Sequence, residues 1–346
     1  MSRRKRVSGP LPAAPEVVFE TMSDLVTLPE IERAAERIAG VAVRTPLVPF
    51  PRDPDPAAGE PALLVKAESL QPIGAFKVRG AYAAIASLTA AERAAGVVTH
   101  SSGNHAQAVA YAARALGIKA VLVMPHTTPG VKVDRCIALG AEVVYVEPTA
   151  QARAETAGKL AAAHGFTMIP PYDDARVIAG QGTAGLEIVQ DCPDADVVLV
   201  PISGGGLIAG VSAAVKALRP EAKVIGVEPE LAADARDSMA AGRPVSWDAE
   251  KTGRTIADAL RVQQVGDLPF AHIQAHVDGI VTVTEDEIRQ AMRRLAREAR
   301  LIAEPGGAAA TAAYLHHRAE LPEGRTYVSI LSGGNVDPAL FLDVLK

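Results

Sequence analysis

Short β-branched runs alternate with alanine-rich segments along most of the chain. The runs are bounded by turn residues, and each is followed by a segment of about 10 to 15 residues with helical periodicity. This alternation is typical of βαβ units, in which helices cover a parallel sheet. The predicted strands are 96–100, 120–125, 142–148, 197–202, 223–229 and 327–331.

The segment 284–299 carries a strong helix pattern. Thr284 and Glu287 have the spacing of a capping box, in which each side chain bonds the other residue's backbone N–H. An apolar stripe with helical spacing follows them. Helices are also predicted over 105–117 and 207–220, and the proline-dense segment 49–61 is predicted to be a surface loop.

Composition and charge exclude several classes of protein. The chain has 346 residues, 49% of them hydrophobic, and a net charge of −5 with no basic block in the folded region, so nucleic acid is not an expected partner. The basic run within 1–20 is predicted to be a disordered leader. Because neither a signal peptide nor a membrane-length apolar run occurs, a cytoplasmic protein without a membrane partner is expected. Cys136 and Cys192 fit no zinc or disulfide pattern.

Glycines and polar residues follow the predicted strands, where open α/β sheets bind ligands. After 197–202 the chain reads SGGGLIAG, and three glycines at a helix start let backbone N–H groups approach a phosphate. A tight turn that packs a helix on the sheet would use the same glycines, so both readings stay open. After 327–331 comes SGGN, which an ordinary turn could also contain.

The turn SSGNHAQ follows the predicted strand 96–100. One serine would suffice to cap the next helix, so two serines and Asn104 favour a polar ligand. His105 is expected to orient or pack rather than to act as a base, because nothing near it in sequence completes a triad.

Glu228, the carbonyl of Ala232 and Asp234 would offer hard oxygen ligands to a divalent cation. Two acids at this spacing are also compatible with a solvated surface. The residues alone do not decide between a metal site and a solvated surface.

Lys77 lies in the stretch SLQPIGAFKVRGAY, between an apolar run and an alanine-rich helix. With this lysine, the glycine loop and the strand-end serine, residues from about 29 to 337 resemble the pyridoxal-phosphate enzymes of the tryptophan-synthase β-like fold. Within that group the serine/threonine dehydratases and serine racemase are most similar. The resemblance implies an α/β fold of two domains with parallel-type twisted sheets covered by helices, and a cofactor between the domains. The implied large domain is 21–93 with 174–346, and the inserted small domain is 94–173.

The resemblance also implies roles for single residues. Lys77 matches the lysine that binds the cofactor aldehyde, and its pKa is expected to be lowered by burial and by the nearby cation of Arg79. Phe76 matches the aromatic residue beside the ring, and Asn104 the residue that bonds the ring hydroxyl. The remaining implied cofactor contacts are Gly204, Gly205, Gly206 and the amide of Leu207 at the phosphate, and Ser332 at the pyridine nitrogen.

A serine at the pyridine nitrogen leaves the ring a weaker electron sink than a carboxylate would, which favours β-elimination. The implied activity is a threonine/serine ammonia-lyase. An amino-acid racemase remains an alternative activity, because Ser102 could exchange a proton on the face opposite Lys77. 3-Hydroxyaspartate remains an alternative substrate, because Arg153 could bind a second carboxylate. The implied substrate contacts are Ser101, Ser102, Gly103, His105 and Arg153.

The metal set also matches the divalent-cation site of the racemase-like branch, which implies Mg²⁺ or another divalent cation at Glu228, Ala232 and Asp234. A homodimer is implied as well. The chain departs from the family pattern at Ala75, Tyr172 and Ala259. Because it ends soon after SGGN, no C-terminal regulatory domain is expected.

Overall fold

Two sheets organise the computed structural model, which describes residues 25–50 and 62–346. The larger sheet has six strands in the order β1-β2-β10-β7-β8-β9, and the smaller has four in the order β5-β4-β3-β6. In chain order the strands are β1 (Leu47–Phe50), β2 (Ala62–Ala67), β3 (Val97–Thr99), β4 (Ala120–Pro125), β5 (Glu142–Val146), β6 (Thr167–Met168), β7 (Val197–Pro201), β8 (Lys223–Pro229), β9 (Gly279–Val283) and β10 (Thr326–Leu331).

Helices cover both sheets. They are α1 (Leu28–Ile38), α2 (Lys77–Ala86), α3 (Ala90–Ala95), α4 (Asn104–Leu116), α5 (Gly130–Ala138), α6 (Ala150–His164), α7 (Ala175–Asp191), α8 (Gly206–Leu218), α9 (Asp234–Ala241), α10 (Ala249–Thr252), α11 (Asp267–His276), α12 (Glu285–Arg294), α13 (Pro305–His316) and α14 (Pro338–Leu345). None of these described helices has the length and apolar character needed to cross a membrane.

The α/β class expected from the sequence is confirmed by the strand pairing. Neighbouring strands run parallel in both sheets, and the β1–β2 pair alone among the described pairs is antiparallel. Central strands such as β7 are buried along their whole length, as helices on both faces require. The predicted strands agree with the observed ones to within one or two residues, whereas β1, β2, β6 and β9 were not predicted.

The predicted loop 49–61 is wrong at its start. Pro49 and Phe50 belong to β1, where Pro49 pairs with Leu64. Proline is tolerated there because β1 lies at the edge of the sheet, so the missing N–H interrupts no ladder on its outer side. The rest of the loop and the leader 1–20 lie outside the described residues.

The predicted helix over 284–299 starts where the capping box places it. Thr284 N donates to Glu287 Oε2 at 2.7 Å, and Glu287 N donates to Thr284 Oγ1 at 3.3 Å. The regular α-helix ends at Arg294, and Leu295–Ala299 continues as a single π-helical turn.

A buried ion cluster joins α2 to β2 and α7. Arg79 is fully buried, and its guanidinium donates to both Glu68 and Glu187 at 2.7 to 2.8 Å. Lys66 adds a 2.6 Å bond to Glu187. Because these charges lie away from water, each must be matched by a partner, and the cluster fixes α2 relative to the larger sheet.

Replacing Arg79 with Ala should lower the free energy of unfolding by about 3 to 5 kcal/mol, because Glu68 would remain buried without its main counter-charge. Urea unfolding of the cofactor-free protein measures the change. As a matched control, Arg44→Ala removes the partly exposed ion pair with Asp191 and should cost at most about 1 kcal/mol. Similar losses in the two variants would contradict the importance assigned to the cluster.

Candidate active site

Turns that follow strands of both sheets meet at one cavity of about 570 Å³. The turn after β3 comes from the smaller sheet, and the turns after β7 and β10 come from the larger sheet. The cavity is therefore located between the sheets, at the carboxyl ends of parallel strands. Outside the metal set, every residue predicted to bind cofactor or substrate lines it: Phe76, Lys77, Ser101, Ser102, Gly103, Asn104, His105, Arg153, Gly204, Gly205, Gly206, Leu207 and Ser332.

Lys77 is the first residue of α2, and its Nζ donates to the carbonyl of Pro171 at 2.6 Å. Burial of the amine lowers the pKa of Lys77 to about 8. The expectation that Arg79 also lowers this pKa is wrong, because burial is the whole cause and the charge of Arg79 is balanced by Glu68 and Glu187. A neutral amine is therefore accessible near physiological pH.

The glycine loop after β7 packs closely against its neighbours and leaves the start of α8 without a side-chain cap. Gly205 has φ +87°, and a Cβ there would lie 2.7 Å from Pro269 Cβ. A Cβ on Gly204 would lie 2.1 Å from the Tyr172 ring. Only glycine fits both positions, and no side chain caps the start of α8. The N–H groups of the first turn of this 13-residue helix are thus available to a phosphate.

His105 lies in the interior beneath the serine turn. Its Nε2 bonds the Ile169 carbonyl at 2.9 Å, which makes Nε2 the protonated nitrogen. Burial, together with the charge of Lys77, lowers the pKa of His105 to about 3. The ring is neutral at physiological pH, so it adds no positive charge beside the lysine.

The SGGN turn after β10 pairs with the backbone just before Lys77. Phe76 N donates to Ser332 O at 3.0 Å, and Ala75 forms a bridge with Gly333. Ala75 lies in this backbone pairing and does not line the cavity, whereas Tyr172 and Ala259, the other departures from the family pattern, do.

Two further residues of the cavity were not singled out from the sequence. Glu304 is 3% exposed and accepts a 2.7 Å hydrogen bond from Asn104 Nδ2, and burial raises the pKa of Glu304 to about 7. Asn335 Nδ2 donates to Asn104 Oδ1 at 2.8 Å. Their sequence signals are weak: Glu304 precedes Pro-Gly-Gly at a helix start, and Asn335 ends the SGGN motif.

The proposed metal set lies outside the cavity, where β8 leads to α9. Glu228 is fully buried and accepts from the amides of Ala235 and Arg236 at 3.1 and 2.8 Å. Asp234 is 1% exposed, and among the described residues its carboxylate has no side-chain partner, although the backbone amides of Val265 and of Asp234 itself are close enough to lower its pKa. Burial raises the pKa of Asp234 to about 7, and burial and Asp234 raise that of Glu228.

Two neighbouring buried carboxylates suit a divalent cation, since the charge of Arg236 opposes the raised pKa of Glu228 without abolishing it, and the carbonyl of Ala232 would add a third hard oxygen. Among the described residues no group of three or more His, Cys, Asp or Glu side chains is placed to hold a metal ion. Any cation here would therefore depend on backbone carbonyls or water for its remaining ligands.

Residues 38–333 match the family model described as pyridoxal-phosphate dependent enzyme. The chain belongs to this family.

The enzyme is 40% identical to L-threonine ammonia-lyase of Thermotoga maritima, over 90% of this chain and 76% of the relative. It is also 40% identical to L-threo-3-hydroxyaspartate ammonia-lyase of Saccharomyces cerevisiae, over 79% of this chain and 82% of the relative. The structure of maize serine racemase superimposes with a TM-score of 0.87 at 35% identity, covering 92% of this chain and 96% of that one.

The cavity of this pyridoxal-phosphate enzyme fits its cofactor. Bound cofactor supplies an aldehyde for an amine and a conjugated ring that withdraws electrons from an amino acid. Lys77 offers the amine, the glycine loop and the start of α8 offer donors for the phosphate, and Ser332, which is 5% exposed, lines the cavity.

Capture of pyridoxal phosphate by the cofactor-free enzyme should speed up with rising pH around a midpoint of about 8. The neutral amine is the nucleophile, so the reactive fraction grows as pH rises through the pKa of Lys77. The cofactor absorption band measures capture over a pH series. N-acetylated lysine provides the matched control, with an amine pKa of about 10.4. A midpoint equal to that of the control would refute a lowered pKa.

Proposed function

We propose that this enzyme is a pyridoxal-phosphate-dependent ammonia-lyase that converts L-threonine to 2-oxobutanoate and L-serine to pyruvate, with release of ammonia. The observation that carries the proposal is the pairing, in one cavity, of a buried amine of lowered pKa with a serine hydroxyl after β10. The similarity to L-threonine ammonia-lyase supports it.

Lys77 is proposed to accept the α-proton, since its lowered pKa leaves a share of the amine neutral near pH 7. Loss of that proton and of the β-hydroxyl as water makes an enamine, which hydrolyses to the oxo acid and ammonia. Ser332 can donate a hydrogen bond to a neutral ring nitrogen, which limits electron withdrawal and favours elimination over transamination. The neutral ring of His105 leaves Lys77 without a repelling cation.

Purified enzyme with bound cofactor should release 2-oxobutanoate from L-threonine and pyruvate from L-serine. Lys77→Ala should lower the rate by several orders of magnitude, because both the cofactor link and the base are lost. A coupled assay for oxo acid measures both proteins. If the enzyme binds cofactor and forms no oxo acid from either substrate, the proposal fails.

The second candidate is an amino-acid racemase, which the position of Ser102 favours. Racemisation needs one proton-exchanging group on each face of the substrate carbon. Ser102 lines the cavity with Lys77, and its hydroxyl is the proposed second group. The likeness to serine racemase in fold and sequence supports this reading.

Ser102→Ala should abolish conversion of L-serine to D-serine while most pyruvate formation from L-serine remains, because elimination needs only the lysine face. Chiral chromatography and the oxo acid assay, run on the same samples, give the two rates. Ser87→Ala is the control, since it removes a hydroxyl at the end of α2 that lies outside the cavity, and it should spare both reactions. Equal loss of both activities in Ser102→Ala would contradict its proposed role.

A dicarboxylic substrate is a further possibility, supported by Arg153. This arginine lines the cavity, where its charge opposes the rise that burial causes in the pKa of Tyr172 and adds to the fall that burial causes in the pKa of His100. A second carboxylate could pair with it. The ammonia-release assay should therefore include both 3-hydroxyaspartate diastereomers, with Arg153→Met to show whether the arginine raises kcat/KM for them alone.

We also propose that Glu228, the carbonyl of Ala232 and Asp234 bind Mg²⁺. The support is the buried carboxylate of Asp234, which has no side-chain partner among the described residues and lies beside Glu228, so that a cation would neutralise their like charges.

Millimolar-range Mg²⁺ should raise the unfolding temperature of the enzyme, because a cation that binds only the folded state stabilises it. Asp234→Asn should remove this response. Thermal scans with and without Mg²⁺ measure it, and Glu230→Gln, at an exposed acid two positions past Glu228, should respond like the wild type. An undiminished response in Asp234→Asn would place the cation elsewhere.

Three further proposals rest on the resemblance: a large domain of 21–93 with 174–346 and an inserted small domain of 94–173, a homodimer, and a cytoplasmic location. The strands of the smaller sheet all fall within Val97–Met168, which supports the division into domains.

A further inference from the structure

Asn335, the last residue of SGGN, contacts three separate parts of the active site. Its Nδ2 donates to the carbonyl of Ile73 at 2.8 Å and to Asn104 Oδ1 at 2.8 Å, and its Oδ1 accepts from Arg135 at 3.3 Å. Ile73 belongs to the segment that leads to Lys77, while Asn104 and Arg135 belong to α4 and α5, beside the smaller sheet. The side chain therefore connects the lysine segment with the opposite wall of the cavity.

These contacts fix which way the Asn104 amide faces. A backbone carbonyl can only accept, so the Ile73 carbonyl requires the nitrogen of Asn335 on its side. The second hydrogen of that nitrogen then requires the oxygen of Asn104. With its oxygen held by Asn335, Asn104 must turn its nitrogen the other way, where it donates to Glu304 Oε1 at 2.7 Å.

This orientation has a consequence for the cofactor. An amide nitrogen carries two hydrogens, and Glu304 takes one from Asn104. The other is available to a ligand in the cavity that Asn104 lines. A reversed amide would present an acceptor to the cavity and would set an oxygen against the carboxylate of Glu304.

The chain makes room for Asn335 at this place. Gly74 has φ +72°, and a Cβ there would lie 2.8 Å from Asn335 Oδ1 and 3.2 Å from its Nδ2. Gly334 N donates to Gly74 O at 2.9 Å, which keeps the two segments together. The glycine before the lysine and the asparagine of SGGN therefore form one packed unit.

We infer that Asn335 is a positioning residue, which orients the Asn104 amide so that it donates to the bound cofactor. It acts through Asn104 and through the backbone at Ile73. The inference rests on the cofactor and is independent of which amino acid the enzyme converts.

The test uses Asn335→Asp, which keeps the shape of the side chain and replaces the donor nitrogen by an acceptor oxygen. We expect the Kd for pyridoxal phosphate to rise about tenfold, because Asn104 Oδ1 loses its donor in a largely enclosed site. We also expect the wavelength and the pH midpoint of the cofactor absorption band to shift. Both readouts need cofactor alone, so failure of the lyase assay would leave them unaffected.

Asn335→Ala makes the same test without placing a carboxylate beside the Ile73 carbonyl, should the aspartate variant fail to fold. Thr311→Val is the control, because it removes a buried side-chain hydrogen bond, to Ser329 Oγ at 3.1 Å on the strand that leads to SGGN, and Thr311 does not line the cavity. A change in band and Kd confined to the Asn335 variants supports the inference, and wild-type values in both of them, or an equal change in Thr311→Val, overturns it.

Discussion

The active site depends on a lysine amine held inside the protein without a carboxylate partner. An isolated cation in such surroundings is unfavourable, so the amine of Lys77 loses its proton more readily than an exposed lysine does. The surrounding groups preserve that condition: the contact at Nζ is a neutral carbonyl, and the nearby imidazole of His105 is neutral. The lowered pKa, and with it the nucleophilicity of the amine, therefore follows from burial among neutral groups.

Charge is separated along helix α2. Lys77, at its start, faces the cavity, whereas Arg79, two residues later, is directed into an ion cluster with Glu68 and Glu187. The cluster balances its own charges, so it fixes the helix without altering the electrostatics of the lysine. One turn of helix thus carries a reactive amine and a structural guanidinium. Both are buried, but only the guanidinium has carboxylate partners, so it keeps its charge while the amine loses its proton more readily.

Backbone pairing between distant segments completes the site. The loop before Lys77 pairs with SGGN, and Asn335 joins both to the amide of Asn104. The two sheets thereby share a hydrogen-bonded contact at the cavity. A shift of one sheet relative to the other would therefore move the residues that line the cavity. The buried carboxylate of Asp234 lies outside the cavity, at the start of α9, which follows β8.

Much of this could be predicted from the sequence, because the deciding patterns are local. Alternating runs indicated the parallel sheets, the capping box fixed the start of α12, and the strand-end motifs contain several of the residues that line the cavity. Local patterns also gave two wrong predictions. The prolines predicted a loop where Pro49 belongs to an edge strand, and the short spacing of Arg79 from Lys77 predicted an effect on the lysine pKa, although the charge of Arg79 is balanced by Glu68 and Glu187.

The sequence by itself determined the fold class and the family, and it supplied the candidates for the reactive side chains, since these depend on residue type and short spacings. Only the tertiary structure decided the protonation and orientation of those side chains. Glu304 and Asn335 contact Asn104 across more than two hundred residues, and the lowered pKa of Lys77 arises from burial by segments distant in sequence. Such properties depend on three-dimensional neighbours, which no local pattern encodes.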